Sequence, residues 1–366
     1  MGDNSLRRPW IMQIPKKMKA AVLFGFNDIQ VVEREVPVPG YDEALIRVEA
    51  CGICGTDVKI ITHGMPHQPP FGEFIIGHEY AGTVAAVGDT IDEFKVGDRI
   101  AVEIHKGCMR CKNCLVGEYT ACLNYGNLKK GHRANGFTAN GGFAEYAVNH
   151  VNTLAKLPDN ISFDESTIIT TAGSSIYGID QAGGYIVGDT VAVLGPGPIG
   201  LMCVQACKAL GAGTVILTGT RQERLELGKT LGADHIVNAN RENPVDKALE
   251  LTDGLGADLV LEAAGGENSL QQAIEMTRKG GKISILAFYK KPITADISTA
   301  VRNGINLYTI RGEGRLNVHR ALSLMAQGKM VGKDLITHTF PLEQINEAFL
   351  TYVERRGGAL KVVVHP

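Results

Sequence analysis

The sequence predicts an α/β protein in which a doubly wound parallel-sheet domain is inserted into a β-rich domain built from both chain ends. Three observations carry that prediction. Short apolar and β-branched runs punctuated by Gly and Pro fill residues 19–102. Strand-like and helix-like segments then alternate over 189–288, the pattern of a parallel sheet covered on both faces. A last strand-like run, ALKVVVHP, closes the chain at 359–366. A chain of 366 residues has room for about two domains. Their limits fall at 1–163 with 315–366 for the β-rich domain and at 164–314 for the parallel-sheet domain.

Taken in order, KAAVLFG (19–25), IQVVEREV (29–36), EALIRVEAC (43–51), YAGTVAAVG (80–88) and FKVGDRIAV (94–102) read as strands. The texture changes near LPDNISFDES (157–166). DTVAVLG, TVILTG, DHIVN, ADLVLEAAG and GKISILAF then read as strands, with PIGLMCVQACKALGA, RQERLELGKTLGA and SLQQAIEMTRKG as the helices between them. INLYTIRGEG (305–314) follows as a strand and NVHRALSLMAQGKM (317–330) as a helix. No internal repeat or low-complexity tract interrupts this order.

Composition excludes several classes. Net charge is −2, so there is no electrostatic case for a nucleic-acid or acidic-membrane partner. No stretch approaches the roughly 18 apolar residues that span a bilayer. The start, MGDNSLRRPWIMQIPKKMKA, lacks the apolar core and cleavage site of a signal peptide. Gly2 does not read as a myristoylation site, because Leu6 stands where Ser or Thr is wanted. A cytoplasmic protein with reduced thiols is the expectation.

Four cysteines crowd into GCMRCKNCLVGEYTAC, at Cys108, Cys111, Cys114 and Cys122. A chain of this length needs no disulfide knot, and reduced thiolates at this spacing suit a tetrahedral zinc ion. Four thiolates leave no open position, so the site is structural; a redox cluster is the other reading. Lys106, Arg110 and Lys112 lie beside the sulfurs in sequence and offset their charge.

The turn VAVLGPGPIG fits G-x-G-x-x-G at Gly195, Gly197 and Gly200, directly after a strand and opening a helix through Pro198 and Ile199. The first glycine allows the tight turn, the second lets a pyrophosphate approach the backbone, and the third lets helix pack on strand. The helix N-terminus then faces the phosphates. At the end of the next strand, where an NAD site usually holds a carboxylate, the chain has Gly219, Thr220 and Arg221. Nothing there repels a 2′-phosphate and Arg221 can pair with one, so NADP is the preferred cofactor and NAD the alternative. The plainer reading is an Arg221 that simply opens a solvated helix.

ACGICGTD (50–57) and IIGHEYAG (75–82) supply Cys54, His78 and Glu79. A thiolate, an imidazole and a carboxylate suit zinc with a position left open. Gly77 permits the bend that lets adjacent His and Glu reach one ion.

GICGTD, GHEYAGTV, the cysteine lobe, GGFAEYAV and GPGPIG stand in the order seen in zinc-dependent medium-chain dehydrogenases/reductases. From about Lys19 onward the chain resembles that family, in the style of its sorbitol and threonine dehydrogenase branch. The resemblance implies a GroES-like catalytic domain, a Rossmann domain, two zinc ions per chain, and hydride transfer between a small-molecule alcohol or polyol and NAD(P). A homodimer or homotetramer is implied as well. Cys54, His78 and Glu79 match catalytic zinc ligands, Asp57 the carboxylate that orients the ligating histidine, and Thr56 the hydroxyl that bonds the substrate alcohol and relays its proton.

Two positions depart from the family. Thr171 stands where many relatives place a further ligand, and Lys59 where a relay histidine often follows; His63 or water is then the expected substitute. The segment NYGNLKKGHRANGFTANGG is longer than its usual counterpart and carries Lys129, Lys130, His132 and Arg133. This cationic cluster is either a solvated loop or a subsite for an anionic substrate. The alternatives to an alcohol or polyol dehydrogenase are therefore an NADPH-dependent carbonyl reductase of an anionic substrate and a non-catalytic zinc- and nucleotide-binding protein.

Overall fold

Residues 14–314 and 316–366 are described in a computed structural model of the chain. Gly2, Leu6 and the rest of 1–13, on which the leader-peptide expectation falls, lie outside the described residues, as does Arg315. Contacts divide the chain into two compact units. The first takes in residues up to Lys106, Asn124–Thr167 and His338–Pro366, and the second Gly107–Leu123 and Ile168–Thr337.

The first unit opens with strands β1 (Lys17–Gly25) and β2 (Asp28–Glu35), an antiparallel hairpin turning through Asn27 in the left-handed region. Strand β3 (Glu43–Gly52) is followed by helix α1 (Gly55–His63). Then come β4 (Phe74–Ile75), β5 (Glu79–Val87) and β6 (Arg99–Val102). The short pair β7 (His105–Lys106) and β8 (Arg133–Ala134), then β9 (Tyr146–His150) and β10 (Leu154–Lys156), complete its N-terminal part. β3 pairs with β5 along one side, from Ala44 opposite Val87 to Gly52 opposite Glu79, while β9 covers the first half of its other side.

In the second unit β11 (Thr190–Leu194), β12 (Thr214–Gly219), β13 (His235–Asn238), β14 (Ala257–Glu262), β15 (Thr277–Ile285) and β16 (Asn306–Thr309) form one sheet in the order β13-β12-β11-β14-β15-β16. Every neighbouring pair is parallel. This is the order of a dinucleotide-binding sheet, with its crossover point at β11 and β14. Val191, Ala192, Val193 and Leu194 are all buried, because helices cover both faces and leave no side of the strand for water. Those helices are α2 (Ile169–Gln181), α3 (Pro198–Ala209), α4 (Gln222–Thr230), α5 (Pro244–Glu250), α6 (Ser269–Met276), α7 (Ile297–Arg302) and α8 (Asn317–Ala326). No helix among the described residues is long and apolar enough to cross a membrane.

The chain then returns to the first unit through β17 (Ile336–Pro341), α9 (Ile345–Glu354) and β18 (Lys361–His365). β18 fills the second half of the side of β3 that β9 leaves open, setting Val363 opposite Gly52 and Val364 opposite Cys51. The last strand thereby joins the sheet that carries the ends of β3 and β5. Beneath it lies a core of Ile46, Val48, Phe74, Ile76, Tyr80, Phe143, Phe349 and Val362.

The cysteine lobe 107–123 and residues 316–337 group with the parallel sheet, whereas the sequence expectation joined both to the β-rich domain. Side-chain contacts within that unit give the reason. Tyr119 donates to the Gly314 carbonyl at 2.9 Å and Tyr177 to Glu118 at 3.3 Å, and Arg320 on α8 pairs with Asp180 on α2.

Candidate active site and metal centres

β3 ends at Gly52, and the Ile53 amide donates to the Val362 carbonyl at 2.8 Å, so the turn into α1 is pinned to β18. Cys54 takes the N-cap position with an extended backbone. Asp57, three residues on and fully buried, accepts the Cys54 amide at 2.8 Å through Oδ2. Its other oxygen lies 3.0 Å from Nδ1 of His78. One carboxylate thus caps the helix and orients the imidazole. With Nδ1 donating to Asp57, Nε2 is the nitrogen left to ligate a metal.

His78 and Glu79 enter from the start of β5. Gly77 before them has φ +96°, and a Cβ there would lie 2.7 Å from the Phe143 ring and 2.8 Å from the Cys51 sulfur. Only glycine makes that bend in that space. Phe137, from the long segment after the lobe, covers the imidazole with ring centres 4.5 Å apart. One ligand atom each from Cys54, His78 and Glu79 lie within 4.8 Å of one another, the spread a single ion requires. Burial works against a charged His78, yet the Asp57 carboxylate and the Cys54 sulfur hold its pKa well above the ordinary value. A buried imidazole facing that much negative charge is an arrangement a divalent cation would compensate, so the donor set fits zinc.

Lys361 was not singled out in the sequence. Its ammonium forms an ion pair with Glu79, and both side chains are buried. Burial would lower the Lys361 pKa, but the Glu79 carboxylate, with Cys54 and Asp57 behind it, holds it above the ordinary value. The register explains the meeting. Gly52 sits opposite both Glu79 and Val363, and a Cβ on it would come 2.7 Å from Lys361 Cε, so the bare glycine leaves the lysine its passage. The available signal was a lysine interrupting the apolar strand ALKVVVHP.

Thr56 lies 3.8 Å from the Cys54 sulfur through Oγ1. Lys59, one turn further on, is exposed. His63 is exposed in the last turn of α1, its Nδ1 2.6 Å from the Thr62 hydroxyl. Seven residues of helix put it about 10 Å along the axis from Thr56, too far for a direct proton hand-over. Thr171 is buried near the start of α2, in the second unit, where its carbonyl accepts the Ser175 hydroxyl at 2.9 Å. The four cations of the long segment differ in surroundings. Lys129 and Lys130 are exposed, His132 is buried with Nδ1 accepting the Gly126 amide, and Arg133 pairs with Glu43 at 2.7 Å.

The sulfurs of Cys108, Cys111, Cys114 and Cys122 also lie within 4.8 Å of one another. Cys108–Cys114 and Cys111–Cys122 separations are both 3.9 Å, far beyond a disulfide bond. A tetrahedron with Zn–S bonds of ~2.3 Å has edges of about 3.8 Å, so the sulfurs stand at the spacing of zinc ligands. The Cys114 amide, followed by that of Leu123, holds the Cys111 thiol below its ordinary pKa, whereas burial pushes Cys114 up to about 12.

In the second unit the glycine turn has the geometry its spacing implies. Gly195 has φ +95°, and a Cβ there would meet Ala264 Cα at 2.7 Å. A Cβ on Gly197 would meet nothing within 4 Å, which is the open side a pyrophosphate approaches. One on Gly200 would strike the Gly195 carbonyl at 1.9 Å. Pro198 takes the first position of α3, and the Ile199 carbonyl accepts the Ser175 hydroxyl at 3.2 Å. At the end of β12, Gly219 pairs with Asn238 and the Thr220 carbonyl accepts Asn240 Nδ2 at 2.9 Å. Arg221 is the N-cap residue of α4, partly exposed, and its guanidinium makes no ion pair among the described residues.

Comparison with known proteins agrees with both halves of this arrangement. The alcohol dehydrogenase GroES-like domain matches residues 40–159, and the zinc-binding dehydrogenase domain matches 198–327. A sorbitol dehydrogenase of Bacillus subtilis is 34% identical over 355 residues, covering 96% of this chain and 98% of its own. L-threonine 3-dehydrogenase of the same organism is 33% identical over 337 residues, covering 91% and 94%. The crystal structure of 2R,3R-butanediol dehydrogenase from B. subtilis superposes with a TM-score of 0.85 at 28% identity, over 95% of this chain and 99% of that one. The chain belongs to the zinc-type medium-chain dehydrogenases of the alcohol dehydrogenase superfamily. It is an NAD(P)-dependent oxidoreductase, and the reading of the fold as a non-catalytic binding module is set aside.

Proposed function

We propose that the enzyme interconverts the CH–OH group of an alcohol or polyol with the corresponding aldehyde or ketone, preferring NADP(H) to NAD(H). The observation that carries the reading is the convergence of Cys54, His78 and Glu79 ligand atoms within 4.8 Å, with buried Asp57 fixing the imidazole. When bound, zinc supplies Lewis acidity toward the substrate oxygen and the nicotinamide supplies the hydride acceptor or donor. The chain does the rest. Cys54 and His78 hold the ion, Asp57 keeps the His78 tautomer, and Glu79 stands within reach as a third donor while paired with Lys361. Thr56, beside the Cys54 sulfur, binds the substrate hydroxyl and passes a proton on to water, the acceptor left once His63 is out of direct reach.

The Arg221 guanidinium, next in sequence to Gly219 and Thr220 and in no ion pair among the described residues, supports NADP(H), because a charge-assisted pair with a 2′-phosphate contributes about 1.5–3 kcal/mol, or ten- to a hundredfold in affinity. Two zinc ions per chain are proposed, one in each ligand group. A cytoplasmic homodimer or homotetramer completes the reading; a four-sulfur group at zinc-ligand spacing suits a reducing compartment, and sedimentation measures the assembly. With Arg133 paired and His132 buried, the exposed cations of that segment are Lys129 and Lys130, and the neutral alcohol or polyol is the reading preferred here.

The test is Cys54→Ser or His78→Ala, followed by metal content and NADPH fluorescence titration. Each substitution should remove turnover and about one of the two ions while NADPH binding stays near normal. Loss of nucleotide binding together with the metal would reject two separable sites.

A further inference from the structure

The end of β12 lacks a carboxylate, and the structure supplies a steric cause for that. A Cβ built on Gly219 would lie 2.3 Å from Cδ and 2.6 Å from Cγ of Pro196. Real Cβ contacts do not come this close. A long side chain would swing aside, but the pyrrolidine ring is closed onto its own backbone nitrogen and cannot. Pro196 is itself buried, between Gly195, held against Ala264, and Gly197, which opens helix α3. The Gly195 amide donates to the Thr218 carbonyl at 2.8 Å, and the Ala239 amide to the Gly219 carbonyl at 2.7 Å, so both backbones are tied down. Any side chain at 219 therefore has to displace the turn that receives the pyrophosphate or the end of the strand beside it.

We propose that Pro196 and Gly219 form a coupled pair that determines cofactor selectivity by excluding every side chain, and hence the NAD-type carboxylate, from the end of β12. This rests on the reading that NADP(H) is preferred. It adds the reason why that preference is not reversed by one substitution: the ring fills the space from which a carboxylate would reach the ribose hydroxyls. Thr220 and Arg221 are then the nearest side chains available to the ribose and its phosphate. By the same contact, Gly219→Asp alone is not expected to turn the enzyme toward NAD(H).

The experiment uses the metal-loaded enzyme and reads NADPH and NADH dissociation constants by fluorescence, with melting temperature alongside. Variants are Pro196→Ala, Gly219→Ala, Gly219→Asp and the two double combinations. Gly219→Ala should weaken both cofactors by about ten- to a hundredfold, because overpacking at the turn is indifferent to the 2′-phosphate. Adding Pro196→Ala should restore both to within about threefold, while Pro196→Ala alone moves the two constants together. Pro196→Ala with Gly219→Asp should bind NADH and lose NADPH by about tenfold or more; Gly219→Asp alone should bind neither well. Gly219→Ala or Gly219→Asp binding as tightly without the second substitution as with it would overturn the coupling. A wild type that already favours NADH would overturn the cofactor reading instead, while rescue of Gly219→Ala still reports on the pair. If Gly219→Asp does not fold, the alanine series alone decides.

Discussion

Glu79 and Lys361 are an ion pair taken out of water, and the balance of charge around them differs with and without a metal. In the metal-free protein the ammonium is the cation on Glu79, beside the Cys54 sulfur and Asp57. Lys361→Met removes it and leaves a buried carboxylate uncompensated, a change that costs about 3–5 kcal/mol. An ion ligated by Cys54, His78 and Glu79 would replace the lost charge. Lys361→Met should therefore widen the gap in melting temperature between metal-loaded and chelator-treated protein. An equal gap in wild type and variant would mean that Glu79 does not share its charge with the metal. The lysine was hidden from sequence reasoning by distance, since the pair spans 282 positions and closes only when β18 joins β3. The contact between Pro196 and Gly219 was hidden for another reason: it follows from the register that sets Leu194 opposite Thr218 and brings the ends of β11 and β12 together. Cys54, His78 and Glu79 were singled out because two short motifs, ACGICGTD and IIGHEYAG, carry metal-ligating residue types, and Asp57 because of the family resemblance those motifs carry.

At the scale of elements, the lobe 107–123 has almost no secondary structure of its own. Its α-helix, Lys112–Leu115, is a single turn, and a short 3₁₀ turn follows at Tyr119–Ala121. Such pieces do not hold together in water unaided. The four-sulfur cluster and the Tyr119 and Tyr177 hydroxyl bonds fasten the lobe to its unit. Cys111→Ser should lower the melting temperature and admit protease cuts between Gly107 and Leu123, because a closed metal site contributes folding free energy directly. An inactive Cys111→Ser protein with unchanged melting temperature and digestion pattern would rule out a structural role. The parallel strands were legible as apolar runs bounded by glycine. Helices α1, α2, α5, α7 and α9 were not. α2 is built from ITTAGSSIYGIDQ, a poor helix sequence, and is helical because most of its residues are buried. α5 is only Pro244–Glu250, capped where the Asn243 side chain accepts the Val245 amide at 2.9 Å, a local signal that its short length obscured. α9 buries Ile345, Ala348 and Phe349 at helical spacing, but that stripe is too short to announce itself.

For the molecule as a whole, stability depends on protons as well as on metal, and two histidines outside both metal centres pull in opposite directions. His150 ends β9 in the first unit, its Nδ1 accepting the Asn152 amide at 3.1 Å. Burial, then the nearby Lys106 charge, with Asp42 and Glu43 only partly opposing, lowers its pKa to about 4 from an ordinary value of 6.5. The unfolded chain thus binds this proton at a higher pH than the fold does, so between about pH 6.5 and pH 4 stability falls as pH falls. His365 has the reverse sign. Its hydrogen bond to Asp164, 2.7 Å from Nε2, raises its pKa, so its contribution is fully present below about pH 6.5 and is lost as pH rises through the raised value. Cysteine ligands also take up protons in acid and release metal, so neither slope can be read from wild type alone. The measure is the difference between wild type and His150→Asn, whose amide oxygen can still accept the Asn152 amide but takes up no proton. Urea midpoints at matched metal loading should converge toward pH 4 or separate in favour of the variant, and should favour wild type or stay level above pH 7. A difference that stays constant from pH 7 to pH 4 would show that His150 protonates alike in folded and unfolded chains.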